Sequence, residues 1–164
     1  MNEYELKKIY NDKAYCQQRY EEFLNQQVLR ETSPDPYLVQ GHMQKSRHNL
    51  SFTFAQLETE FQDWAVTGAY YAMYHAALAL LASKGVSTKS HNATLYALVK
   101  HFTLPKKHLT HLSTAYLTYQ ELLLYAGAKN AREKATYETQ IEQTNAKQLH
   151  LQAAAFVSAA QELL

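Results

Sequence analysis

Between Ala65 and Ala82 the chain is almost unbroken apolar and aromatic sequence, interrupted only by Thr67, Gly68 and His75. Wound at 3.6 residues per turn, Trp64, Gly68, Tyr71, His75, Leu78 and Ala82 share one face, and Val66, Tyr70, Met73, Ala77 and Leu80 another. No polar face is left. A helix apolar all round is either the central helix of a bundle or a membrane span. An internal histidine and the aromatics Trp64, Tyr70, Tyr71 and Tyr74 suit protein packing rather than lipid. A buried central helix is therefore expected over Gln62 to Lys84, with no membrane association. Gly85 supplies its C-terminal stop, and Ser90 or Thr88 can cap the helix that follows.

The other segments are organised around that helix. The chain has 164 residues with only 4 Gly and 3 Pro, and it shows no β-branched alternation that would argue for a strand. The expected fold is all-α, an antiparallel bundle of about five to six helices. Asn2 to Arg30 reads as one long first helix with Leu6, Ile9, Cys16, Tyr20 and Phe23 as its apolar stripe. That stripe either packs on the bundle or forms a partner surface, and both readings are open. Ser33-Pro34-Asp35-Pro36 is a loop in which Asp35 caps a second helix, Tyr37 to Glu58, with Leu38, Met43, Leu50, Phe54 and Leu57 inward. A fourth helix is expected from His91 to Phe102. A fifth runs from Pro105 to Gly127, extending toward Lys134, and a last one runs from a Thr144 cap to Leu164. Residues 1–33 form an N-terminal helical extension and residues 34–164 the bundle.

Charge excludes the simplest nucleic-acid reading. A formal net charge of +1 does not predict nucleic-acid binding from bulk electrostatics, so any RNA contact has to be local or built from two subunits. With only Arg19, Arg30, Arg47 and Arg132 present, each arginine can be weighed individually. The single Cys16 rules out an internal disulfide and fits a reducing cytoplasm. MNEYELKK has no apolar core after its charges, so no secretory signal is expected.

Among 8 histidines, His108 and His111 stand three apart on one expected helix face, yet Lys106 and Lys107 adjoin them and no acidic or thiol ligand is near in sequence. No metal site and no cofactor are expected. Phosphate-loop, nucleophile-elbow and metalloprotease motifs are absent. Arg47 and His48 in the polar part of the second helix can touch a phosphate, although a solvated face explains them as well. Two further places stand out. Ser90-His91 puts a cap residue and an imidazole at one helix N-terminus. Arg132, in Asn130-Ala131-Arg132-Glu133-Lys134-Ala135-Thr136-Tyr137, follows a long apolar helix, where it either projects into a cleft or answers the helix C-terminal dipole.

AYYAMYHAALALLASKG, then Ser90-His91, then AREKATY at 131–137, resembles the HEPN superfamily of small helical bundles, and the stand-alone prokaryotic members in particular. The closing AAAFVSAAQELL is similar to the family's last helix, so the resemblance covers about Pro36 to Leu164. Tyr71 and His75 fall within its alanine-rich helix signature. It implies a helical bundle that forms homodimers, with polar motifs meeting across a cleft. It further implies RNA and a nucleotidyltransferase antitoxin as partners, and in many members a metal-independent endoribonuclease toxin using an Arg–His motif. In that chemistry Arg132 stabilises the charged transition state and a histidine moves the proton. Tyr137 stands where the motif has its histidine, and Thr136 where it has aspartate. The resulting expectation is a polar cleft of Arg132, His91 and Tyr137, bordered by Ser90, Asn130, Tyr71, His75 and Arg47. With a degenerate nuclease motif, that cleft binds RNA, a nucleotide or a protein partner. The alternatives are a ribonuclease toxin in which His91 or Tyr137 replaces the motif histidine, and a structural module that oligomerises through its first helix.

Overall fold

The computed structural model describes residues 3–103, 117–137 and 146–164. It is an all-α bundle in which the described residues form seven helices and one short ribbon. In chain order these are α1 (Glu3–Asn11), α2 (Lys13–Asn25), β1 (Leu29–Glu31), α3 (Pro36–Gln56), α4 (Gln62–Ser83), β2 (Val86–Thr88), α5 (His91–Phe102), α6 (Tyr119–Tyr137) and α7 (Ala146–Glu162).

α4 is the core helix that its sequence requires. From Ala65 to Ala82 nearly every side chain is buried, Tyr70, Met73 and Leu80 completely. It is long and apolar enough to cross a membrane, but 78% of that stretch is covered inside the bundle. Trp64 departs from the expected packed face and is 56% exposed, while the adjacent Ala65 and Val66 are buried.

α3 returns antiparallel along α4, as the paired contacts Asp35–Ala82, His42–His75 and Ser46–Ala72 require. The helices meet closely. Ser46 donates to the Ala72 carbonyl at 2.7 Å, and a methyl on Gly68 would lie 2.6 Å from Thr53 Oγ1 and 2.9 Å from Phe52. This close approach corrects the face assigned to α3. Its buried residues are Met43, Ser46 and Thr53, whereas Leu38 and Phe54 are exposed. Small side chains fit between the helices where large ones do not. α6 and α7 cover the remaining sides of α4.

The N-terminal segment is not one helix. Asp12 adopts an extended conformation and accepts from the Tyr15 amide at 2.9 Å, which ends α1 and caps α2. α2 ends at Asn25, and Gln27, with a φ of 57°, turns the chain into β1. Leu6, Ile9, Cys16 and Tyr20 join the same hydrophobic core as α4, so this chain covers its own N-terminal stripe. The two strands, which the sequence pattern does not show, pair antiparallel with Leu29 opposite Thr88 and Glu31 opposite Val86. Three residues a side are too few to show alternation.

Gly85 makes the turn from α4 into β2 at φ +69°, with the Thr32 carbonyl so close that a Cβ would lie 2.0 Å from it. Ser90 caps α5 by accepting from the Ala93 amide at 3.3 Å. Asp35 caps α3 by accepting from the amides of Tyr37 and Leu38 at 2.9 and 3.1 Å. The expected start of the fifth helix at Pro105, its positions Leu109, Leu112, Ala115 and Tyr116, and the Thr144 cap lie outside the described residues. α7 buries Leu149, Ala153, Phe156, Val157 and Ala160, the face its period predicts.

The glycines give a graded test in urea unfolding. Gly85→Ala should destabilise by about 2 kcal/mol or more, combining backbone strain with a collision against main chain. Gly68→Ala should cost about 1–3 kcal/mol through overpacking against α3. Gly41→Ala, on α3 with nothing within 4 Å of the added methyl, should be neutral or stabilise by up to about 1 kcal/mol.

Candidate functional site

The polar cluster of this bundle is built on the tyrosines of α4. Tyr70 and Tyr74 are one helical turn apart and present stacked rings 6.0 Å apart at 15°. The Ser90 cap fixes the start of α5 and places His91 against them. The His91 ring lies 4.4 Å from Tyr74 and 5.5 Å from Tyr70, and its Nδ1 shares a hydrogen bond with the Tyr70 hydroxyl. α6 brings Arg132 to Tyr70 as well, its guanidinium carbon 5.5 Å from the ring centroid. The Arg132 side chain is only 13% exposed. Tyr70 is therefore approached by an imidazole from α5 and a guanidinium from α6.

Lys129 pairs with Glu133 at 2.7 Å, and Arg132 reaches the same carboxylate at 3.8 Å. The hydrogen bond from Lys129 holds Glu133 below the ordinary carboxylate range. Burial lowers the proton affinity of His91, and the charges of Arg132 and Lys129 lower it further against the opposing pull of Glu133. Burial also drives Tyr70 well above the usual phenol range. At neutral pH the cluster thus holds a neutral imidazole, a protonated phenol and a guanidinium. Beneath it, fully buried Tyr125 lies 6.1 Å from Tyr70 and 5.7 Å from Phe156, which ties the cluster to the core.

The other candidates fall at varying distances from this centre. Tyr71 is half-buried with its ring 5.4 Å from Tyr70. Asn130 is exposed on α6, and Arg47 is exposed on α3. Tyr137 closes α6, and its side chain lies outside the described residues, as do His108 and His111. His75 joins a different pair. Its Nδ1 lies 3.2 Å from Nδ1 of His42, one ring donating and the other accepting. Burial, aided by His42 and Lys45, pulls His75 down to about 4. Burial pushes the Cys16 thiol up to about 11, which leaves it unsuited to nucleophilic work. Among the described residues no group of three or more His, Cys, Asp or Glu side chains is placed to hold a metal ion.

Sequence reasoning misses the roles of Tyr70, Tyr74, Lys129 and His42. Tyr70 and Tyr74 read as packing because their hydroxyl partners come from other helices. The four-residue spacing of those two tyrosines, just before a capped histidine, is the signal that could have found them.

Two relatives share part of this chain. It is 31% identical over 83 residues to the UPF0332 protein PH1297 of Pyrococcus horikoshii, an alignment covering 46% of this chain and 58% of that protein. It is 28% identical over 100 residues to a protein of Methanocaldococcus jannaschii named "Putative toxin MJ0142", covering 61% of this chain and 62% of that protein. The chain thus spans about three fifths of each of these relatives. No family model matches it.

Two pH measurements follow. By NMR, the His91 imidazole should titrate below the ordinary value near 6.5, and Arg132→Gln should raise its pKa by removing a positive neighbour. Stability should also fall on acidification. Unfolded histidine takes up its proton near pH 6.5, but His75 in the fold does so only near 4, so the stability present above about 6.5 is lost as pH drops toward 4. Between pH 7 and 4.5 the unfolding free energy should fall by about 1–2 kcal/mol more in wild type than in His75→Gln, after discounting for the partial exposure of the pair.

Proposed function

We propose that this chain is a HEPN-type, toxin-like helical protein that binds RNA at the cleft where α5 and α6 meet over α4. The observation that carries this reading is the approach of both His91 and Arg132 to Tyr70. A guanidinium offers paired donors to a phosphodiester, and Lys129 adds a second cation beside it. A neutral imidazole next to a bound phosphate accepts or donates a hydrogen bond to the ribose 2′-hydroxyl. The similarity to a protein named as a toxin supports the biological kind, and the sequence resemblance supports the superfamily. The same reading expects a homodimer, with a nucleotidyltransferase antitoxin as partner.

His91 favours a second reading, in which RNA is cleaved as well as bound. With Tyr70 accepting from Nδ1–H, Nε2 of neutral His91 has a lone pair for the 2′-hydroxyl proton. The freed 2′-oxygen attacks phosphorus, the bond to the 5′-oxygen breaks, and the 5′-oxygen leaves with the proton that His91 took up, giving a 2′,3′-cyclic phosphate. Arg132 balances the charge that builds on the non-bridging oxygens. His91 would then do from α5 what the motif histidine, replaced here by Tyr137, does elsewhere in the superfamily.

One experiment addresses both readings. Purified protein is incubated with labelled single-stranded RNA in EDTA, and binding and cleavage are followed for wild type, Arg132→Ala and His91→Ala. The binding reading expects Arg132→Ala to weaken affinity by roughly 10-fold or more. Unchanged affinity in that variant, or no RNA binding by wild type, overturns it. Cleavage lost in both variants supports the second reading, and intact RNA with wild type removes it.

A further inference from the structure

A groove with a volume of about 820 Å³ runs beside this cluster, between α3, the C-terminal half of α4 and the β1–β2 ribbon. Its two walls differ in chemistry. The helical wall presents Leu38 and His42 from α3 and Tyr74 and Leu78 from α4, a surface of aliphatic and ring atoms. The ribbon wall presents Arg30, Ser87, Thr88 and Lys89. Strand alternation explains how Arg30 comes to line it. Leu29 is buried, and Glu31 turns to Tyr20 at 2.8 Å and Lys100 at 3.6 Å, so the intervening residue faces the opposite side. Arg30 and Lys89 are both exposed, and among the described residues neither enters an ion pair. The nearby carboxylate of Asp35 is engaged by the α3 amides.

The groove borders the cluster already described. Tyr74 lines it while its ring sits 4.4 Å from His91, and Ser90, also in the lining, is the residue before His91. Tyr74 is thus the side chain over which a strand held at Arg132 and His91 would pass into the groove. The volume falls within the range typical of small-ligand sites, about 300–1,000 Å³, and suits one or two nucleotides. Burial keeps His42 neutral, which fits that wall to an uncharged heterocycle rather than to phosphate.

The geometry points to this groove as a second subsite on the same RNA strand. It takes one unpaired nucleotide adjoining the phosphodiester at Arg132, with the base on Leu38, Leu78 and Tyr74 and the sugar–phosphate along Arg30 and Lys89. The inference rests on the RNA-binding reading above and adds the substrate class: single-stranded RNA, because a base stacked in a duplex cannot reach the helical wall.

The test is fluorescence anisotropy with a short labelled single-stranded RNA and the matching duplex, over a salt series. Thermal melting confirms that each variant is folded. Arg30→Ala/Lys89→Ala should weaken single-strand affinity about 10-fold and reduce the salt slope by about 1.4, the value for two lost phosphate contacts. Leu78→Trp fills the groove without changing charge and should weaken binding about 5-fold, on the scale of one lost base contact. The charge-matched control Lys7→Ala/Lys147→Ala should stay within about 2-fold of wild type. Wild-type affinity in Leu78→Trp, equal losses in the groove and control doubles, or equal affinity for duplex would each overturn the groove. If Arg132→Ala weakens binding and the groove variants do not, the phosphate site stands and the subsite falls. If the groove variants weaken it and Arg132→Ala does not, the subsite stands and the Arg132 reading falls.

Discussion

The structure depends on covering α4 from every side. A 22-residue helix with no polar face cannot rest on a surface, and burying its apolar area at about 25 cal/mol per Å² is the dominant favourable term available to it. That requirement sets the spacing of the bundle. On the side facing α3, Gly68 and Ala72 let a second helix come close enough for Ser46 to bond a main-chain carbonyl of α4. α6 and α7 also pack on α4. Arg132 reaches Tyr70 because α6 is one of the elements that must cover α4.

The candidate site is where this cover includes polar atoms. A phenol, an imidazole and a guanidinium packed together under helices incur desolvation costs, and the hydrogen bond of Tyr70 to His91 offsets part of them. Burial also suppresses protonation of His91, so the packing that stabilises the bundle fixes the protonation state of the group. Tyr70 links the two functions as both a fully buried core side chain and the common neighbour of His91 and Arg132. Tyr74 extends the same arrangement toward the groove.

Much of this fold is legible in the amino-acid sequence. The apolar run of α4, the stop at Gly85, the caps at Asp35 and Ser90 and the periodic face of α7 are local signals, and local physics determines them. The break at Asp12 is masked because the apolar period runs on from Ile9 to Cys16 through it, although an Asn-Asp pair ahead of a helix is a capping signal. The ribbon is hidden for a different reason. Three residues carry no alternation, and Val86 to Thr88 are strand only because Leu29 to Glu31 lie opposite. In the cluster, Ser90-His91 and Arg132 stand out one by one through residue type and position. Their approach to a shared tyrosine is a tertiary fact with no local signature. The His42–His75 pair lies between, since the antiparallel register of α3 on α4 brings those two positions together.

The proposed RNA site requires His91 and Arg132, both beside Tyr70, to act on one ligand. The most direct measurement follows side-chain NMR signals of the histidine rings and arginine Nε–H groups while a short single-stranded RNA is titrated in. His91 and Arg132 should shift together along a single saturating curve, while His101, on the far half of α5 against Tyr20, stays still. Saturating shifts at other residues with His91 and Arg132 unmoved would contradict it.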